Sequence, residues 1–102
     1  VRNVFIVCNA DTVLIDVMNL FKNRKVKVSL HAGPVHKKGN SVDGPTVEII
    51  KAMSDYATPS SINASEQVAA LLALHPTVFS VGYSGFFKHA DNDHSIFKIE
   101  WR

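Results

Sequence analysis

The sequence contains a single cysteine, Cys8, so no disulfide can form within the chain. Cys8 closes the apolar run that starts at Val4, and this position favours a buried thiol in a reducing compartment. The N-terminal residues also lack the charged, apolar and small-residue order of a signal peptide, so nothing in them argues for secretion. We therefore expect a cytoplasmic protein.

Long apolar runs and strong net charge are missing as well. No apolar run approaches the roughly 20 residues that span a bilayer, so we expect no membrane segment. The formal net charge is +2, and the one basic cluster, Lys22, Arg24 and Lys25, follows a predicted helix whose dipole these cations complement. Binding driven by phosphates usually shows as a concentrated basic face, so we expect no nucleic acid partner.

The 102 residues, 46% of them apolar, suffice for one domain with a single core. Two segments rich in β-forming residues run from Val4 to Cys8 and from Val26 to His31, and each predicts a strand. Between them, apolar residues recur at helical spacing, namely Leu14, Val17, Met18 and Phe21. The order predicts a strand, a helix and a second strand with short connections.

Turn residues divide the middle of the chain. The polar segment from His36 to Gly44 contains Gly39-Asn40, a pair that suits a tight reversal, so we expect a hairpin or a loop. Pro45 fits the first turn of a helix and Pro59 forces a stop, which predicts a helix up to Ala57. The solvated stripe of that helix consists of Glu48, Lys51 and Asp55.

The remaining chain predicts a short extended piece, a helix and two strands. Ser65 is expected to be the N-cap of a helix that reaches Leu72. Strands are expected from Thr77 to Phe87 and from Ser95 to Trp101, joined by a polar turn from His89 to His94. In the last strand, one covered face is expected to hold Phe97, Ile99 and Trp101, with Ile96, Lys98 and Glu100 on the other. The predicted fold class is an α/β (α+β) sandwich, a mixed sheet with helices packed on one side.

The stretch from Val26 to Met53 predicts a strand, the turn Ala32-Gly33-Pro34, a hairpin, and a helix at whose start stand Gly44 and Val47. This order resembles the centre of a class III nucleotidyl cyclase catalytic domain, whose helix has the pattern Gly-x-x-Val-Asn-x-Ala-x-Arg. Further along, the segment 57–65 resembles that family's turn and strand-to-helix step, and 87–101 its last hairpin and strand. The resemblance implies a ferredoxin-like cyclase fold and identifies residues 1–102 with the second half of the family's domain.

The family's catalytic groups do not match. Glu48 stands at the position of the ribose-orienting Asn, and Ala52 at that of the transition-state Arg. The family's metal-binding Gly-Asp-Gly aligns with Val1, Arg2 and Asn3. Cyclisation needs two divalent cations held by carboxylates and a cation on the transferring phosphoryl group. The resemblance therefore implies no catalytic residue, no enzyme activity and no cofactor for this chain, with Mg²⁺ or Mn²⁺ reserved for an active cyclase.

Two positions keep a possible nucleotide-binding role. Lys88 matches the family's lysine at the terminal phosphates, although a one-residue insertion between Gly82 and Phe87 interrupts the alignment. Ser41 matches a position that contacts the purine. The resemblance thus implies a nucleoside triphosphate as a possible ligand, while an ordinary solvated lysine before a turn remains the alternative.

Three hypotheses follow. The first is a non-catalytic member of the family that regulates or dimerises in signal transduction, pairing with itself or with another cyclase-like chain. The second is part of an active adenylate or guanylate cyclase whose Asn and Arg come from a partner chain. The third is a small-ligand or metal-binding α/β module.

Metal-ligand residue types do cluster at His89, Asp91, Asp93 and His94, but Asp-rich and Asn-rich hairpin turns have this composition anyway. His31 and His36 lack a Ser or Cys at a spacing that suggests a nucleophile.

Overall fold

The computed structural model describes residues 6–8 and 10–102, and within them the chain forms three helices and six strands. In chain order these are α1 (Asp11–Phe21), β1 (Val28–Leu30), β2 (His36–Lys38), β3 (Ser41–Asp43), α2 (Pro45–Tyr56), β4 (Ile62–Ser65), α3 (Glu66–Leu72), β5 (Phe79–His89) and β6 (Asn92–Trp101). The expected α+β class is confirmed. The predicted first strand runs from Val4 to Cys8; residues 4 and 5 lie outside the described residues, and residues 6–8 have no regular structure, so a strand is not found in the described part.

Four strands form a mixed sheet in the order β1-β4-β6-β5. β1 is parallel to β4, with Leu30 beside Ala64, while β6 is antiparallel to both β4 and β5. β2 and β3 make a separate two-stranded hairpin that turns at Gly39 and Asn40, as the turn residues predict. The helix expected after Pro45 is also confirmed, since α2 begins at Pro45 and ends at Tyr56.

One face of the sheet packs against α1 and α3. Its buried cluster draws on both helices and on three strands, and comprises Met18, Ala64, Val68, Ala69, Leu72, Phe79 and Ile99. Leu14 and Ile15 of α1 pack against this cluster at helical spacing with Met18. This face therefore holds the larger part of the core.

The opposite face packs against α2, so the expectation of helices on one side is wrong. Ile96 was expected on the uncovered face of β6, but it is only 4% exposed and forms a second buried cluster with Met53 and Phe87. Because neighbouring residues of a strand point to opposite faces, Ile96 lies under α2 while Phe97 and Ile99 lie on the α1 and α3 side. The middle of β6 is thus covered by helices on both faces of the sheet.

The hairpin of β5 and β6 is longer than predicted. The polar segment from His89 to His94 was expected to be a turn, but the reversal takes only Ala90 and Asp91, both at positive φ (50° and 62°). A two-residue turn of this hand matches the right-handed twist of the strands, so the flanking polar residues continue the ladder. A bulge interrupts the register between Tyr83 and Gly85.

Candidate functional site

A cavity of about 260 Å³ lies at the carboxyl ends of the two parallel strands. Its lining is mostly apolar and comes from the segment before α1, α1, β1 and the following loop, β3, α2 and α3. The lining includes His31, Thr46, Val47, Ile50 and Val68. Crevices at the carboxyl ends of parallel strands are common ligand positions in α/β sheets, so this cavity is a candidate site.

The turn after β1 brings backbone against α2. A Cβ added at Gly33 would clash with Oγ1 of Thr46, which is itself buried on the first turn of α2. A larger residue at Gly33 therefore requires the Thr46 side chain or α2 to shift. The small-residue turn seen in the sequence thus lets the loop after β1 lie close to the first turn of α2.

His31 and Ser65 join the ends of the two parallel strands. The Nδ1 atom of His31 lies 2.7 Å from Oγ of Ser65, within hydrogen-bond distance. Ser65 occupies the expected N-cap position of α3, but its side chain makes no capping hydrogen bond and turns to His31 instead. Burial lowers the pKa of His31 from its ordinary value, and the nearby charge of His94 lowers it further.

The Ser65 hydroxyl and the His31 imidazole have the chemistry of a nucleophile and its base, but a substrate cannot reach the Ser65 hydroxyl. Ser65 is only 3% exposed, and the described residues that line the cavity include His31 but not Ser65. A nucleophile must reach its substrate, so we read the pair as a structural connection between β1 and β4. His36 lies exposed on β2, with its ring against Gly44.

Glu48 and Ala52 lie one turn apart on α2. The Glu48 side chain is 58% exposed, with Oε1 3.9 Å from Nζ of Lys51, and Asp55 is exposed as well, so the predicted solvated stripe is confirmed. Ala52 is partly buried and packs against the cluster that contains Phe87. The methyl group of Ala52 is therefore part of the contact between α2 and the β5–β6 hairpin.

Lys88 and Ser41 lie on separate strands. Lys88 is exposed on β5, and because the adjacent Phe87 packs under α2, Lys88 points to the other face of the sheet. Ser41 is exposed on β3, where its Oγ donates a hydrogen bond to the carbonyl oxygen of Lys38 at 2.9 Å. Among the described residues, no hydrogen bond or ion pair joins Lys88 to Ser41 or to Glu48.

The histidines and aspartates near the hairpin turn do not converge. The ring centroids of His89 and His94 are 6.4 Å apart, and His94 stacks on Phe87 at 5.1 Å. Within residues 6–8 and 10–102, no three side chains of His, Cys, Asp or Glu lie together in a way that could hold a metal ion.

Sequence reasoning missed two exposed aromatic side chains, Tyr83 and Phe86, which we call the aromatic patch together with the neighbouring, partly buried Phe97. Tyr83 is 64% and Phe86 59% exposed, whereas Phe97 packs against the buried cluster on the α1 and α3 side, as its alternation predicts. The rings of Tyr83 and Phe97 meet edge to face at 5.8 Å. The many aromatic residues of β5 are visible in the sequence. Their alternation alone does not show which of them the helices cover.

No model of a known protein family matches this chain, and no curated protein matches it. Each helix in the described ranges falls short of the length and hydropathy that crossing a bilayer requires.

Proposed function

We propose that this chain is a non-catalytic domain of nucleotidyl cyclase-like architecture that acts by association, as a regulatory or dimerising module in signal transduction. The proposal is supported by the order of β1, small-residue turn, hairpin and α2, followed by the parallel strand β4. The observation that carries it is the surface of α2, which presents the Glu48 carboxylate and the partly buried Ala52 methyl group.

Those two side chains have the wrong chemistry for cyclising a triphosphate. Developing charge on a transferring phosphoryl group is stabilised by a cation, and guanidinium groups suit this task because they bind phosphate oxygens in pairs. A methyl group at position 52 offers no charge, and a carboxylate at position 48 repels phosphates. We infer that α2 has kept a packing role in place of a catalytic one.

A second candidate function is that the chain forms part of an active adenylate or guanylate cyclase. In that case a partner chain supplies the missing Asn amide and Arg cation. This candidate is favoured by Lys88, which is exposed and forms no ion pair within the described chain, so it is available to a triphosphate. A third candidate, a small-ligand module, is favoured by the apolar cavity beside His31.

The test measures cyclic nucleotide formation and nucleotide binding by the chain with ATP or GTP and Mn²⁺. We expect no cyclic product from the unchanged chain. Formation of cyclic AMP or cyclic GMP would contradict the proposal and favour the second candidate, and tight uptake of metal without nucleotide would favour the third.

A variant pair sharpens the assignment of α2. The double change Glu48→Asn with Ala52→Arg raises the net charge by two and restores the amide and the cation. Asp55→Arg, at an exposed position of the same helix, raises the charge equally and serves as the matched control. We expect calorimetry to show Mn²⁺-ATP binding at least about tenfold tighter for the double variant than for the control, as a correctly placed guanidinium predicts. Because Ala52 packs against the Phe87 cluster, circular dichroism first confirms that both variants are folded. Equal affinities of the two folded variants would contradict the assignment of these two positions.

A further inference from the structure

The far end of the β5–β6 hairpin, residues 83–97, carries an ordered set of side chains on one face; we call this end the hairpin tip. Three cross-strand pairs follow one another on this face, Tyr83 with Phe97, Phe86 with Ser95, and Lys88 with Asp93. The bulge between Tyr83 and Gly85 adds one residue to β5. It thereby places Tyr83 and Phe86, three positions apart, on the same face.

This face of the hairpin tip is uncovered in the described structure. Tyr83, Phe86, Lys88 and Asp93 are all exposed, whereas Phe79 at the other end of β5 is buried under the helices. α2 packs on the opposite face, where Met53 lies against Phe87 and Ile96. The aromatic patch therefore lies on the same face as α1 and α3, beyond the buried part of β5 and β6 that these helices cover.

The hairpin tip carries two opposite charges, Lys88 and Asp93, that form no ion pair within the described residues. The two residues are directly opposite in register. By contrast, Lys98 on the other face lies 3.9 Å from Glu100. An apolar centre with one free cation on one strand and one free carboxylate on the other is complementary to itself under two-fold symmetry.

The required symmetry can be derived from the pairing. A two-fold axis parallel to the strands lays β5 of one copy over β6 of the other. Lys88 then faces Asp93 of the second copy, and Tyr83 faces Phe97 of the second copy. Phe86 faces Ser95 of the second copy, so the complementary features of this arrangement are the opposite charges and the contact between Tyr83 and Phe97.

We propose that the aromatic patch, flanked by Lys88 and Asp93, is the surface through which the chain binds a second copy of itself. This rests on the proposed function, in which the chain acts by association, and it names the partner and the contact. The exposed parts of the three rings amount to on the order of 300 Å², and a standard interface takes about 800 Å² from each partner. The three rings thus supply less than half of the area that a standard interface takes from each partner, and small interfaces of this kind are typical of weak, transient association.

The first experiment is sedimentation equilibrium from low micromolar to near-millimolar chain. We expect concentration-dependent dimerisation, weakened about tenfold or more by Phe86→Ser, since buried aromatic anchors dominate such contacts. Leu74→Ser, which removes an apolar side chain that is 73% exposed elsewhere, is the control and leaves the dimer unchanged. A chain that stays monomeric throughout, or equal weakening by both changes, overturns the proposal.

Charge exchange tests the symmetry itself. Lys88→Glu and Asp93→Lys each place like charges together in a homodimer, so each alone dimerises more weakly. Mixed in equal amounts, the two variants restore complementary pairs on both sides of the axis and form a heterodimer. Lys98→Glu on the other face is the control and has no such effect. Failure of the mixture to associate more strongly than either variant alone overturns the arrangement.

These outcomes are separate from those of the proposed function. Cyclic nucleotide production would remove the non-catalytic role and leave the mapped dimer surface standing. A monomeric chain without cyclase activity would remove the dimer surface and leave the non-catalytic assignment standing.

Discussion

The β5–β6 hairpin carries two cross-strand pairs of aromatic residues, of which one is buried and the other is largely exposed to solvent. At its base, Phe79 and Trp101 meet with ring centroids 4.7 Å apart, and Phe79 is 1% exposed. At its tip, Tyr83 and Phe97 meet at 5.8 Å, and Tyr83 is largely exposed. The pairing of the strands alone therefore does not decide whether an aromatic residue belongs to the core or to the surface.

The difference comes from how far the covering helices reach along the strands. α3 has seven residues and spans about 10 Å, whereas the eleven residues of β5 extend over roughly 36 Å. α1 and α3 pack against Phe79 and Ile99 towards the base, and Tyr83 and Phe86 towards the tip are exposed. The base consequently contributes to folding, and the tip is left available for contact with another molecule.

The largest expected effect is at the base. Phe79→Ala should lower the free energy of unfolding by about 3–5 kcal/mol, because it leaves a cavity among Leu72, Ile99 and Trp101. Tyr83→Ala should lower it by about 1 kcal/mol or less, since most of that ring already contacts water. Urea denaturation followed by circular dichroism at low chain concentration measures both.

The control for this pair is Phe79→Leu, which keeps most of the buried volume and should cost clearly less than the alanine change. If Tyr83→Ala proved as costly as Phe79→Ala in the monomer, the tip would have to be packed like the base, and the comparison would fail.

A smaller effect on the free energy of unfolding is expected from acidification, through the protonation of His31. His94 stacks on Phe87 at the hairpin tip, and its charge helps burial to lower the pKa of His31. A histidine whose pKa is lowered by folding favours the folded state fully above its unfolded pKa of about 6.5, and this contribution is lost as the pH falls below that value. Stability should therefore decline on acidification through this range.

The measurement is the free energy of unfolding as a function of pH for the unchanged chain and for His31→Asn. Asparagine can still hydrogen-bond Ser65 but does not titrate, so the variant should show a shallower loss in acid. His36→Asn, at an exposed position on β2, is the control and should keep the original slope. Equal slopes for all three proteins would contradict the role of His31.

Much of the fold follows from local signals. Pro45 marks the start of α2 because proline fixes its own φ. Gly39-Asn40 marks the turn between β2 and β3 because Gly39 can adopt the positive φ of 58° found there. The end of the last hairpin was harder to predict, since Ala90 and Asp91 are not the glycine-containing pair that usually announces a two-residue turn.

The candidate site is less predictable because its contacts are distant in sequence. Ser65 lies 34 residues from His31, so no spacing pattern reveals their hydrogen bond. Ile96 looks like the solvent side of an alternating strand until α2 is seen above it. The positions of Glu48 and Ala52 could be predicted on one helix, but the contact between Ala52 and the Phe87 cluster required the tertiary structure.

The smallest expected effect lies at the base, where Nζ of Lys22 sits 4.8 Å from the centroid of the Trp101 ring. A cation over an indole face at a partly exposed site is worth roughly 0.5–1 kcal/mol, so Lys22→Ala should lower stability by about that amount. Trp101 is the only tryptophan, so its fluorescence reports the change directly. Lys25→Ala, in the same basic cluster, should leave both the emission and the stability nearly unchanged. Since Lys22 contacts the base, neither change should alter dimerisation through the aromatic patch, and a Lys22→Ala variant with weakened association would show that base and tip are coupled.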